Sequence, residues 1–137
     1  MGPSSLRDVA CASTTRCVAS GGSNSSSRPF FESWDGTAWT IAPTNAPPAG
    51  TTFAGVEDLA CATAATCVAV GTYRPAYGPL RSLVERWNGS KWLIEAAPEV
   101  GEADGLYGVT CAVAGGCLAV GSYTNLGSDF TLVERSP

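Results

Sequence analysis

The residues of this chain best equipped for chemistry are six cysteines, at positions 11, 17, 61, 67, 111 and 117. They form three pairs, each with five residues between its members, and the pairs recur every 50 residues. A hairpin across a five-residue connection brings two Cβ atoms close enough to bridge. Cys11–Cys17, Cys61–Cys67 and Cys111–Cys117 are therefore the expected disulfides, each contributing about 2 kcal/mol in the chain-entropy account. Disulfides imply an oxidising compartment and hence a secreted, extracellular protein. Reduced core cysteines and a metal site are the alternatives. Structural zinc asks for four Cys or His ligands. The chain has no histidine, Cys-x5-Cys is not a zinc-knuckle spacing, and no metal or cofactor is expected.

Glutamates recur as well, at Glu32, Glu85 and Glu134. Two carboxylates about 5–10 Å apart can hydrolyse a glycoside. Acid and nucleophile need different environments, however, and a residue at the same place in every copy more often serves the fold. Trp34, Trp39, Trp87 and Trp92 bracket a hairpin, where cross-strand aromatic packing is the expectation and sugar stacking the alternative. The absence of histidine excludes Ser-His and Cys-His nucleophiles. Gly21-Gly22-Ser23 lacks the lysine and helix of a phosphate loop. No catalytic residue is assigned, and the chain reads as a non-enzyme.

These residues sit on an internal repeat. Leu6, Val56 and Leu106 align, as do Val9, Leu59 and Val109. Val18-Ala19-Ser20-Gly21 matches Val68-Ala69-Val70-Gly71 and Leu118-Ala119-Val120-Gly121. Phe31-Glu32-Ser33-Trp34-Asp35-Gly36 matches Val84-Glu85-Arg86-Trp87-Asn88-Gly89, and Val133-Glu134-Arg135 begins the same motif. The 137 residues thus read as one repeat domain with copies at approximately 4–50, 51–100 and 101–137, the third incomplete. Each copy reads as four short strands. Strand a runs into the first cysteine, as in Leu106 to Cys111. Strand b follows the second, as in Cys117 to Tyr123. Strand c is Leu83 to Trp87 or Thr131 to Arg135, and strand d is Lys91 to Ala96. The runs are rich in Val, Leu, Trp and Tyr and bounded by Gly, Asn, Ser and Pro. Asp35-Gly36 and Asn88-Gly89 are hairpin signals, because a tight primed turn needs positive φ. No 3.6-residue period is sustained, so an all-β chain of eleven antiparallel strands is expected.

The order of motifs resembles a β-propeller blade of the WD type: an apolar strand, an Ala-Val-Gly strand, then a strand ending in Trp34-Asp35 or Trp87-Asn88. It departs from that family in lacking a Gly-His dipeptide and in carrying cysteine pairs. Ser33 to Trp39 is also similar to the Asp-box of sialidase-type propellers, but lacks one residue between aspartate and glycine. The nearer likeness is to cysteine-paired repeats of secreted actinobacterial proteins, a group whose function is largely unassigned. Their core appears in copy two as Cys61, Cys67, Ala69-Val70-Gly71, Glu85, Trp87-Asn88-Gly89 and Trp92. The resemblance implies propeller-like blades. Propellers close with four to eight blades, so three imply assembly with a second copy or a missing remainder. A β-trefoil, also threefold, is the alternative.

Antiparallel strands in sequence put the a–b and c–d turns at one end and the b–c and d–a connections at the other. From second cysteine to strand-c glutamate the spacing is 15, 18 and 17 residues. Variable loops on a uniform scaffold are where binding usually lives. The candidate binding residues there are Arg28, Phe30, Tyr73, Arg74, Tyr77, Tyr123, Asn125 and Asp129, with Asn24 beside them. Tyr and Arg are favoured contact residues, and aromatics with Asn and Asp suit sugars. The expected function is a secreted binding module for a glycan or protein surface. A self-assembling structural repeat, hence a homo-oligomer, is the alternative, and an Asp-box-like glycoside hydrolase a weaker one. A net charge of −4 with Lys91 the sole lysine argues against nucleic acid and an anionic membrane. No apolar run approaches the ~20 residues of a membrane span. The opening Met1-Gly2-Pro3-Ser4-Ser5 does not read as a signal peptide.

Overall fold

Short apolar runs punctuated by glycine and proline favour extended backbone over helix. In the computed structural model, which describes residues 4–23, 28–112 and 116–136, eleven strands form and no helix is present among the described residues. Sheet 1 contains β1 (Ser4–Ser13), β2 (Arg16–Ser23), β3 (Pro29–Trp34) and β4 (Trp39–Ala42). Sheet 2 contains β5 (Phe53–Thr63), β6 (Thr66–Arg74), β7 (Arg81–Trp87) and β8 (Trp92–Glu95). Sheet 3 contains β9 (Ala103–Ala112), β10 (Gly116–Asn125) and β11 (Ser128–Ser136). Each sheet is an antiparallel meander in which neighbours in sequence are neighbours in space. The sheets are separate and form neither a closed barrel nor a closed ring among the described residues. A trefoil, whose repeats share one barrel, does not have this strand order.

The first strand of each sheet is 10 or 11 residues long, longer than the short runs expected, because its pairing with the second strand continues past a bulge. The ladder slips at Arg7, Glu57 and Tyr107, the same position in each repeat. An extra residue there rotates the strand locally, so Val56 and Leu59, three apart, share one face and enter one core. Opposite the bulge stand Gly21, Gly71 and Gly121. A Cβ on any of them would collide with the carbonyl oxygen of Ser5, Gly55 or Gly105 respectively. The repeated Ala-Val/Ser-Gly motif therefore ends in glycine because two backbones touch.

Below each bulge the cysteines pair across the ladder, Cys11 with Cys17, Cys61 with Cys67 and Cys111 with Cys117, at Cα separations of 3.9, 4.0 and 4.1 Å. All three expected disulfides are present, and no cysteine is free.

The connection between β3 and β4 spans four residues, 35–38, rather than a two-residue turn. The Asp35 Oδ1 atom accepts the Thr37 N–H (2.8 Å), the Thr37 hydroxyl (2.7 Å) and the Ala38 N–H (2.9 Å). Asn88 Oδ1 does the same for Ser90 and Lys91. Gly36 and Gly89 have φ of 100° and 97°, so the glycines are required as expected. The two-residue turn occurs instead between β10 and β11, where Leu126 and Gly127 have φ of 50° and 74°.

Sheet 2 lies between the others and is buried on both faces. Val56, Leu59, Ala69 and Trp92 pack against Val18, Phe31 and Ala42 of sheet 1. From the opposite face, Val68, Val70 and Val84 pack against Leu106, Ala119 and Leu132 of sheet 3. Each of the valine, leucine and phenylalanine side chains so removed from water contributes roughly 1.5–3 kcal/mol, and the alanines less.

Candidate functional site

The two ends of the sheets differ as the chain's repeat dictates. At the cysteine end the described turns are short and alike: Thr14-Thr15, Ala64-Ala65, and the side-chain-capped turns at Asp35 and Asn88. The corresponding turn of the third repeat, residues 113–115, lies outside the described residues. The hydrogen bonds from Thr37 and Ala38 hold the Asp35 carboxyl down at about 2, although it is exposed.

The opposite end carries the β2–β3, β6–β7 and β10–β11 connections and the chain segments between sheets. Of the expected binding residues, Arg28 is exposed just before β3. Phe30 lies inside β3, facing away from sheet 2 because Phe31 faces it. Tyr73 is partly buried on β6 opposite Arg81, and Arg74 is exposed at the end of that strand. Tyr77 is almost fully exposed in the β6–β7 loop. The Tyr123 ring stacks on Phe130 at 5.2 Å. Asn125 opens the two-residue turn, and Asp129 accepts a hydrogen bond from the Thr124 hydroxyl at 2.7 Å. Asn24 lies outside the described residues.

Tyr73 is the one of these that lines a cleft of about 330 Å³ at the loop end of sheet 2, with Pro48, Arg81, Glu95, Glu99 and Asp104 around it. Asp104 is buried and organises the cleft. Its Oδ1 accepts the Ser82 N–H at 2.8 Å. Its Oδ2 accepts from the Arg81 guanidinium at 2.8 Å and from the Val100 N–H at 3.2 Å. Burial alone would raise the Asp104 pKa, but the hydrogen bonds from Ser82, Arg81 and Val100 outweigh it and hold the carboxyl below its usual range. Glu99 approaches the same guanidinium at 3.6 Å. The cleft thus combines an aromatic ring with one cation and three carboxylates, Glu95, Glu99 and Asp104. It offers hydrogen bonds to hydroxyl or amine groups and repels a free anion.

Arg81, Glu99 and Asp104 were not legible as site residues. The one signal was a break in the repeat: Asp104 stands where the aligned copies have Ser4 and Ala54.

Two of the repeated glutamates, Glu85 and Glu134, face the junctions between sheets, whereas Glu32 alternates with Phe31 and lies on the outer face of sheet 1. Glu85 is fully buried; its Oε2 accepts the Thr44 hydroxyl at 2.7 Å while Oε1 has no partner. Burial pushes its pKa up to about 7, partly offset by the Thr44 bond. Glu134 is raised as well, by burial and by the charge of Asp104, and its Oε1 also lacks a partner. Trp87 and Trp92 pack at 5.9 Å on the junction face of sheet 2, and Trp34 and Trp39 at 5.7 Å on the corresponding face of sheet 1. Among the described residues no cluster of three potential metal ligands occurs.

No protein-family model, curated protein or solved structure matches the chain.

Proposed function

We propose that this chain is a secreted, non-enzymatic interaction module built of propeller-like blades, which engages a glycan or protein surface at the end carrying the β6–β7 loop. The observation that carries this reading is the Tyr73–Arg81–Glu99–Asp104 cleft, set at the variable end of an otherwise uniform scaffold. One aromatic face beside several fixed hydrogen-bonding groups suits a sugar ring. With three carboxylates lining the cleft beside one guanidinium, the favoured ligands are neutral glycans or basic protein surfaces. The three disulfides support an extracellular setting. The environments of Glu85 and Asp35 support a non-enzymatic reading, since the first is buried in a junction and the second caps a turn.

A glycan array read beside a panel of basic protein surfaces tests it. Tyr73→Ala should weaken binding about tenfold, in the range of a lost aromatic contact, and Tyr77→Ala should weaken it less. Binding untouched by both substitutions would place the site elsewhere.

A second reading, a self-assembling repeat, is favoured by a separate observation: large apolar side chains exposed on the outer faces of sheets 1 and 3.

A further inference from the structure

Sheets 1 and 3 each leave one face uncovered, and those faces carry the two halves of a junction the molecule already contains. On the outer face of sheet 1, Leu6, Val9 and Trp39 are 54%, 57% and 44% exposed. Their counterparts Val56, Leu59 and Trp92 are buried against sheet 1. On the outer face of sheet 3, Leu118, Val120 and Val133 are 48%, 52% and 67% exposed. Their counterparts Val68, Val70 and Val84 are buried beneath sheet 3. One end of the molecule displays what a following sheet displays to its predecessor, and the other end displays what a predecessor offers.

We propose that sheet 3 of one copy docks head to tail on sheet 1 of a second copy, reproducing the junction between sheets 1 and 2. This rests on the self-assembly reading and names its partner, polarity and contact residues. Within the chain, Phe31 lies flat on Trp92, with centroids 4.1 Å apart and planes 9° from parallel. The same positions set Val133 of one copy against Trp39 of the other. Leu118 takes the place of Val18 against Leu6 and Val9. A contact joining two different faces closes a ring when its rotation fits. Two copies supply six sheets, inside the four-to-eight range in which propellers close. The assembly is therefore a closed pair with two identical junctions.

The contact between copies lacks the bonds that the segment after β4 makes to Trp92 and Glu85 within the chain, because sheet 3 has three described strands, and it lacks a second fastening as well. Inside the chain, the Asp8 carboxylate accepts the Leu59 N–H at 2.8 Å, and the Asp58 carboxylate accepts the Val109 N–H at 2.7 Å. The third position of this series is Gly108. Sheet 3 thus brings no carboxylate to the Val9 N–H of the receiving copy, and the pair dissociates more readily than the chain's own junctions. Gly108 does not use a left-handed φ. A Cβ there would approach the Val120 Cγ2 atom at 3.2 Å, which a small shift of that exposed side chain relieves.

Sedimentation velocity from micromolar to millimolar concentration reads the outcome. The wild-type chain should reach twice its monomer mass, and Gly108→Asp should tighten the association about tenfold by adding a charge-assisted hydrogen bond at each junction. Trp39→Glu and Val133→Asp should each leave monomers, with circular dichroism unchanged because both positions are exposed. Mixing the two variants should restore a pair through the one intact junction they can form together. Wild-type monomers at millimolar concentration would overturn both the docking and the self-assembly reading, and would assign the faces to a different protein. Association that ignores both substitutions, or no rescue on mixing, would overturn this docking mode while leaving self-assembly standing.

Discussion

Sheet 2 packs a neighbour on each face. Both junctions share one bond from a backbone N–H to a carboxylate, Leu59 to Asp8 and Val109 to Asp58, and an exposed Arg7–Glu57 ion pair is added toward sheet 1. Beyond these the two are fastened by different means. Toward sheet 1 the fastening is aromatic and main-chain. Phe31 stacks on Trp92, and the segment after β4 runs alongside β8. The Trp92 N–H donates to the Pro43 carbonyl at 2.9 Å, and the Asn45 N–H to the Trp92 carbonyl at 3.1 Å. The Thr44 hydroxyl from that segment then meets Glu85. Toward sheet 3 no such stack occurs among the described residues, and Ala97 occupies the position of Thr44. A cleft of about 110 Å³ remains beside Ala97 and Glu134. The fastening moves to the loop end, where Asp104 grips Arg81 and the Ser82 N–H. One scaffold therefore accepts either an apolar or an ionic closure, and the ionic one builds the cleft assigned to binding.

The comparison can be broken most severely at its aromatic half. Trp92→Ala should cost about 4 kcal/mol, as loss of a buried ring with partial collapse does, measured by urea unfolding followed by circular dichroism. Val84→Ala on the other face of sheet 2 should cost about half that.

The next largest effect is electrostatic and belongs to Glu85. Its folded pKa of about 7 lies above the 4.5 of an ordinary glutamate. The unfolded chain therefore releases this proton first as pH rises. The contribution of Glu85 to stability is greatest below about 4.5, falls between there and about 7, and levels off above, for a loss on the order of 3 kcal/mol. Unfolding curves across that window should show the loss in the wild type and a smaller slope in Glu85→Gln. An equal slope in both would mean the carboxyl is not buried as described.

Breaking the ionic half should cost less. Asp104→Ala should destabilise by about 2 kcal/mol at neutral pH, because charge-assisted hydrogen bonds to the Ser82 N–H and Arg81 are lost. Since the folded pKa of Asp104 is lowered, its contribution is present above the unfolded value and disappears as pH falls through the folded one. The difference between variant and wild type should vanish in acid. All four tryptophans lie in sheets 1 and 2. Fluorescence should therefore follow the aromatic junction while circular dichroism follows the whole chain. Divergence of the two probes in Asp104→Ala would show that the halves separate.

The smallest test grafts one junction's device onto the other. Ala97→Thr offers Glu134 the hydroxyl that Thr44 gives Glu85, and should stabilise by about 1 kcal/mol, seen as a rise in the urea midpoint. No gain would mean that the segment after β8 follows a different path from the one after β4.

The repeat, the disulfides and the strand count were legible because each depends on side-chain type at short spacing. A cysteine six residues from its partner bridges locally wherever the chain turns back between them. The bulge was not legible: Arg7, Glu57 and Tyr107 share no side-chain character, since a bulge is set by backbone pairing. The Asp8 and Asp58 fastenings were hidden for a related reason, as Gly108 breaks the series. Phe30 was assigned to a loop because apolar alternation cannot tell a strand's opening residues, here Pro29 and Phe30, from the loop before them. The cleft depends on Asp104 reaching β7 from β9, a contact between strands more than twenty residues apart that no local pattern encodes.

Each disulfide joins two adjacent strands of a single sheet, and none crosses from one sheet to the next. Pulled by its two ends, the chain would feel tension along nearly its whole contour, since each bridge spares only the five residues between its cysteines. The cystines would keep three hairpin tips shut under force while the junctions between sheets slid apart. Mechanically the molecule is a string of three locked clasps whose spacing stretches first, a form that yields in steps and re-forms without any covalent bond having broken.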